Sequence, residues 1–430
     1  MNFFLFFYTS LVTMSSLYDV PGYTKDTLYN VYYEYQLHLT ENINNMIICD
    51  DIKQTLVEDI PLNVDIKKCE FNIAILDVGG SFFKIAVINI KVVDGKLKTE
   101  TTSVKNFEYP IESKNEQIFW YDWVSDKFVE YMLNNDIKTD LSSLIFSYPI
   151  KYKGGKSMPM ALAKHWCFEF EETLKSDLKE TLNHAIKNKL FDNLTSLDST
   201  VDSTGLLVNC VLNDSVATFL SSKVILDDIA IGIILGTGTN GSFIIKCEDK
   251  EYVYNAEWGS FVPKSLALTD EETDFINSLQ KKYNLMDILI GNGYKCGLIN
   301  QIIKTRSLNL IEIEGDCVKH ILQKDDDDEH KIILQKLIYR SRQLMSMLVC
   351  GSINVIKANK ICILLNGSGY SDDCERQALL KMIQNYAKEI CDLDVEIKIH
   401  YEEGLTFIGA AYYSLVKFLN ENVKPKKTMN

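Results

Sequence analysis

A chain of 430 residues that is 46% hydrophobic and 24% charged is too long for one hydrophobic core and has ordinary globular composition, so two lobes with a cleft between them are expected. The net charge of −14 is spread along the chain without a balancing basic patch, which argues against nucleic acid and an anionic membrane surface as partners. Eleven cysteines, with no C-x-x-C pair, offer neither a disulfide framework nor a zinc-ligand spacing and read as reduced, mostly buried thiols.

Residues 2–12 (NFFLFFYTSLV) are apolar and are followed by small polar residues around Ser15. The length suits the apolar stretch of a signal peptide, but no Lys or Arg precedes it and it is too short to span a bilayer. An upstream start, with Met14 as a second start, is the other reading, and both stay open. Residues 24–46 have helical periodicity and are expected to form a helix docked on a lobe.

From Phe71 the pattern changes to short apolar runs. FNIAILDVGGSFFKIAVINI (71–90) and AIGIILGTGTNGSFIIKC (230–247) share one layout of strand, Gly-rich turn and strand. Phe83, Ile85 and Val87 alternate with Lys84, Ala86 and Ile88, so the turn returns into a strand. Dinucleotide-binding and Walker loops run into a helix instead, and are excluded. Only four of the 45 basic residues are arginines (Arg306, Arg340, Arg342 and Arg376), so a phosphate must be met by backbone N–H groups and Lys. Lys324–His330 (KDDDDEH) is expected to be a solvated loop, and long helical patterns return after about residue 260, as in Lys331–Val349. No stretch after the first could span a bilayer.

Six segments occur in one order: LDVGGSFFK (Leu76–Lys84), FSYP (Phe146–Pro149), LNDS (Leu212–Ser215), LGTGTNG (Leu235–Gly241), NAEWGSF (Asn255–Phe261) and LNGSGY (Leu365–Tyr370). In sequence and order they resemble the hexokinase family. The resemblance implies the two-lobed α/β fold with a central cleft shared by sugar kinases and actin-like ATPases. It implies a small lobe over 71–213 with about 405–425 returning to it, and a large lobe over 17–70 and 214–404; residues 1–16 are left as signal or extension. It also implies ATP-dependent phosphorylation of the 6-hydroxyl of a hexose such as glucose, feeding glycolysis, with Mg²⁺ and no nucleic-acid partner.

Residue by residue, the resemblance gives the ATP phosphates to Gly79, Gly80, Ser81 and Lys84 on the first hairpin and to Gly236, Thr237, Gly238 and Thr239 on the second. It gives the adenosine side to Gly367 and Ser368, and the water shell of Mg²⁺ to Asp77. The sugar falls to Ser147, Lys164, Asn213, Asp214, Asn240, Glu257 and Asp287, a mixed donor and acceptor set that suits hydroxyls. Trp166 offers a register competing with Lys164. Asp214 is the expected base for the 6-hydroxyl, beside its plainer reading as the N-cap of a helix starting at Ser215.

This chain departs from the family pattern at Phe82 (usually Asn), Lys84 (usually Arg), Asn366 (usually Asp) and Leu405 (usually Ser, in EEGLTFIGAA), and at Asp287, one methylene short of Glu. Those departures favour, as the alternative, a catalytically weak or inactive hexose sensor, and make Asp287→Glu expected to lower the KM for glucose. Three Asn-x-Ser sequons (Asn213, Asn240, Asn366) fall inside proposed substrate motifs, so a cytosolic enzyme is expected, with secretion through residues 1–15 as the alternative.

Overall fold

The expected first helix runs Lys25–Ile48 (α1) in the computed structural model, which describes residues 20–48, 70–94, 96–110, 118–153, 155–162, 166–194, 204–226, 228–247, 250–279, 284–313 and 318–422. Leu28, Val31, Tyr32, Tyr35 and Leu39 recur at helical spacing on one face of α1, and all five are buried. Burying each of the three aliphatic ones is worth about 1.5–3 kcal/mol.

The first sheet follows: β1 (Glu70–Val78), β2 (Phe82–Val93), β3 (Lys96–Glu108), helix α2 (Trp120–Asn134), β4 (Leu141–Phe146), the hairpin β5 (Ile150–Lys153) and β6 (Lys156–Pro159), helix α3 (Leu178–Leu194) and β7 (Val208–Leu212). Its order is β3-β2-β1-β4-β7, antiparallel through β1–β3 and parallel through β1, β4 and β7. The second half repeats the plan. Helix α4 (Asp214–Ile225) leads to β8 (Ala230–Leu235), β9 (Thr239–Cys247) and β10 (Lys250–Asn255); helices α5 (Asp270–Ser278), α6 (Leu285–Ile290), α7 (Lys295–Thr305) and α8 (Glu329–Ile356) follow, then β11 (Lys360–Asn366), α9 (Asp373–Glu389), β12 (Glu396–Tyr401) and α10 (Leu405–Asn422). This sheet is ordered β10-β9-β8-β11-β12, with the same split between antiparallel and parallel pairs.

α4 follows the last strand of the first sheet as α10 follows the last strand of the second, and the two helices pack on each other in a core shared by both sheets. That core joins Phe71, Ile73 and Ile75 of β1 to Ala230 and Leu364 of the second sheet through Ala217 and Leu220 of α4 and Leu405, Ala410 and Leu415 of α10. The helices touch at backbone: a Cβ on Gly409 would lie 1.7 Å from the carbonyl oxygen of Ala217.

Several expectations need correction. Asp328 at the end of the acidic run N-caps α8, its side chain accepting from the N–H groups of His330 and Lys331; capping the orphan amides of a 28-residue helix takes it out of the solvated loop. Cys296 is disulfide-bonded, whereas Cys210, Cys350, Cys362 and Cys391 are buried free thiols; a disulfide needs converging Cβ atoms, not a C-x-x-C spacing. One of the four arginines is spent inside the fold. Arg340 Nη2 donates to both carboxylate oxygens of buried Glu272 at 2.8 and 2.9 Å, its guanidinium lies 4.0 Å from the Tyr23 ring centroid, and Nη1 donates to Pro21 O at 2.5 Å. Among the described residues no helix is long and apolar enough to cross a membrane.

Candidate active site

The two Gly-rich hairpins meet across a cleft of about 1100 Å³. Antiparallel register sets Asp77 of β1 opposite Lys84 of β2, with Lys84 Nζ 4.0 Å from Asp77 Oδ2. Gly79, Gly80 and Ser81 form the turn beyond the last paired residues, Val78 and Phe83. Gly79 N–H donates to Phe82 O at 3.2 Å and Tyr109 Oη donates to Gly79 O at 2.8 Å, which pins the turn from one side. Val78 O accepts from Ser147 N–H at 3.1 Å and fastens the FSYP loop to the same hairpin. On the other lobe the turn Gly236–Thr239 closes with Gly236 N–H donating to Gly238 O at 3.0 Å. The hydroxyls of Ser81 and Thr237 lie 3.3 Å apart, so the hairpin tips touch.

Burial pushes the Asp77 carboxyl up to about 6; the Lys84 charge opposes this and the Asp214 charge adds to it. An acid that binds its proton more tightly folded than unfolded costs stability above the raised value, and the cost fades as pH falls towards the unfolded value near 4. Asp77→Asn, which copies the protonated form, is therefore expected to stabilise the ligand-free protein at pH 8 by about 2–3 kcal/mol, at ~1.4 kcal/mol per pKa unit. The gain should shrink below pH 6, to about a third of its size at pH 4.5, and be nearly absent only near pH 3. Urea midpoints at pH 8 and pH 4.5 check this; a variant no more stable than wild type at pH 8 removes desolvation as the cause.

Beside the hairpins a chain of polar side chains crosses the floor of the cleft. Asn213 N-caps α4, its Oδ1 accepting from Ser215 N–H at 3.0 Å. Asp214 is thus the first residue inside the helix rather than its cap, although its Oδ1 also lies 2.8 Å from Ser215 N. A carboxylate there sits at the positive end of the helix dipole. Ser215 Oγ lies 2.6 Å from Ser242 Oγ and 3.2 Å from Asn255 Oδ1. Asn240 Nδ2 donates to Asn255 Oδ1 at 2.9 Å, and Asn255 Nδ2 donates to Glu257 Oε1 at 2.7 Å. Glu257 takes a left-handed backbone (φ 45°), a conformation costing a non-glycine residue roughly 1–3 kcal/mol. It is held there by the next residue, buried Trp258, whose Nε1 donates to Tyr35 Oη of α1 at 2.5 Å.

Asp77, Gly79, Gly80, Ser81, Lys84, Ser147, Asn213, Asp214, Gly236, Thr237, Gly238, Thr239, Asn240, Glu257, Asp287, Gly367 and Ser368 all line this one cleft. Lys164 lies outside the described residues; Trp166 of the competing register packs among Phe146, Tyr148 and Phe168. Asp287 is wedged in: a Cβ on Gly238 or on Gly259 would lie 2.3 or 2.5 Å from its Oδ1. An added methylene would crowd this packing, which opposes the expectation that Asp287→Glu improves glucose binding. The sequon residues Asn213 and Asn240 are buried with Ser215 and Ser242, and a glycan on either is incompatible with this fold.

Residues missed from sequence are the ones that hold others. Asn255 stood inside a quoted motif but carries no charge to mark it. Lys295 is fully buried beneath the cleft, its Nζ donating to Leu289 O at 2.8 Å; burial pulls its pKa down to about 7, with the Glu272 charge opposing the shift and the Arg340 charge adding to it.

The family model described as hexokinase matches residues 35–224. The chain is 27% identical over 271 residues to a hexokinase of Schistosoma mansoni, covering 58% of this chain and 55% of that one. It is 23% identical over 251 residues to hexokinase-9 of Oryza sativa subsp. japonica, covering 53% and 46%. Over part of its length the chain is thus similar to the hexokinases. Its matches span about half the length of these curated hexokinases. The solved hexokinase of Schistosoma mansoni complexed with glucose superposes with a TM-score of 0.66 at 15% identity, covering 95% of this chain and 99% of that one, and a second hexokinase crystal structure gives 0.64. The fold is therefore the two-lobed α/β architecture of the hexokinases, as the resemblance implied. Against that family pattern Phe82 stands out, since it is 42% exposed on the cleft wall, where an apolar ring gains nothing from burial.

Proposed function

We propose that this chain is an ATP-dependent hexose 6-kinase, with glucose standing for the substrate class in the test below. The observation that carries the reading is the meeting of two backbone-rich turns, one from each lobe, beside a carboxylate at a helix N-terminus. Phosphoryl transfer runs on positioning and charge stabilisation, and these parts supply both. Asp214 would take the proton of the attacking hydroxyl, while Asn213, Asn240 and Glu257 would fix the ring through the Asn255 link.

A magnesium nucleotide fits the residues present. The turn over Gly79–Ser81 lies outside the strand ladder, Lys84 brings positive charge to one wall, and Asp77 offers a single carboxylate, the ligand complement Mg²⁺ takes when phosphates and water complete its shell. When bound, the ion would neutralise charge on the phosphates. Among the described residues no group of three or more His, Cys, Asp or Glu gathers into an all-protein metal cage. This chain's own contribution would be to orient the hydroxyl and receive its proton in a cleft whose closure on sugar would expel water.

The test is ADP release, coupled to a reporter, with glucose, fructose, mannose, N-acetylglucosamine or no sugar. At least one hexose is expected to raise the rate tenfold or more over the sugar-free control. Equal release with and without sugar would leave an ATPase, and glucose binding without any release would leave the sensor reading.

A further inference from the structure

The resemblance gives Asp287 to the sugar, but the contacts of its carboxylate lead to the phosphate side. Asp287 Oδ1 accepts from Thr239 N–H at 2.9 Å, at the foot of the second hairpin turn, and Asn284 Nδ2 donates to Oδ2 at 3.1 Å. The same short segment is laced to that turn along its backbone: Asn292 N–H donates to Gly236 O at 2.9 Å and Gly293 N–H to Thr237 O at 3.2 Å. Asp287 O in turn accepts from Gly291 N–H at 2.9 Å, which ends α6 and directs the chain along the turn. Gly236, Thr237 and Thr239 are thus held by residues 287–293, Asp287 acting through its side chain and Asn292 and Gly293 through their backbone. Asp287 is 6% exposed and sandwiched between Gly238 of the turn and Gly259 of the EWGS segment.

We propose that Asp287 is a positioning residue for the phosphoryl donor: acting through the Thr239 amide, it holds the 236–239 turn in the shape that receives nucleotide phosphates. The proposal rests on reading the cleft as a kinase site and parts from the resemblance at this one position. The shorter acid follows from it, because only a carboxylate one methylene from the backbone fits between the two glycines and still meets Thr239. Asn at 287 keeps an acceptor of the same reach; Ala removes it; Glu keeps the charge but forces the turn to move.

The experiment measures MgADP and glucose binding separately by titration calorimetry on the full chain, for wild type and for Asp287→Ala, Asp287→Asn and Asp287→Glu, with KM values for MgATP and glucose alongside. Asp287→Ala is expected to weaken MgADP at least tenfold while glucose changes less than threefold. Asp287→Asn should stay within about threefold of wild type for both ligands, and Asp287→Glu should resemble Ala. A tenfold loss of glucose with MgADP unchanged returns Asp287 to the sugar and overturns the proposal. Equal losses of both ligands, no change in either, or an Asn variant as damaged as Ala overturn it as well. If the Ala variant does not fold, the Asn and Glu variants decide, since Glu must then bind MgADP at least tenfold more weakly than Asn. Absence of sugar-dependent turnover in the wild type would sink the kinase reading and still leave the MgADP measurements to judge Asp287.

Discussion

Asp214→Ala is expected to lower kcat by about 10²- to 10⁴-fold while leaving glucose binding measurable, because it removes the proton acceptor and the group that aligns the hydroxyl together. The structure makes the experiment interpretable. Asn213, whose Oδ1 accepts from Ser215 N–H, supplies the cap of α4, so the Ala variant retains its helix start and loses mainly a charge near the helix N-terminus. That loss is worth about 0.3–1 kcal/mol, small beside the stability of a folded domain. Glucose titration and single-turnover phosphorylation separate the two effects. A variant turning over within threefold of wild type removes Asp214 from the chemistry.

The second large effect is structural. Gly→Ala inside a helix ordinarily stabilises by roughly 0.5–1 kcal/mol through lost chain entropy. At Gly409 the sign should reverse, because the new methyl carbon would lie 1.7 Å from Ala217 O and 2.8 Å from Ser221 N of α4. Both atoms are helix backbone and cannot swing aside, so α10 must lift off α4 and open the core that joins the sheets. Gly409→Ala is expected to cost about 3 kcal/mol or more, at the upper end of overpacking effects. Activity should fall with it, since α4 carries Asp214 at its first turn. Urea unfolding measures the loss; a variant within 1 kcal/mol of wild type means the helices slide past one another without cost.

The hairpins were legible because alternation and glycine placement are local properties: Phe83, Ile85 and Val87 on β2 announce a strand whatever surrounds them. The register opposing Asp77 to Lys84 follows from the same local count. The floor of the cleft was legible only as motif letters. Nothing near Asn255 says that its amide will face Asn240 on one side and Glu257 on the other, because those contacts depend on how β9 pairs with β10 and on the turn that follows. The packing around Asp287 was hidden for the same reason. The spacing of Asp287 suggested a short sugar ligand, while its neighbours Gly238 and Gly259 come from segments about 50 and 30 residues away, and only their convergence shows why a longer acid would be crowded. Asp328 shows the converse, an acidic run whose last member is claimed by the helix after it.

The shared core also sets a timetable for biosynthesis. The first sheet is complete in sequence once β7 has been made, by residue 212, yet the helix that covers Phe71, Ile73 and Ile75 is α10, which begins at Leu405. At roughly 5–20 residues per second, about 190 further residues keep that apolar face without its final cover for on the order of 10–40 s. α1 waits similarly for α8 before Tyr35 and Leu39 are enclosed. α1 and α10 therefore close the fold late, and during synthesis two apolar surfaces, one on each lobe, wait for their cover.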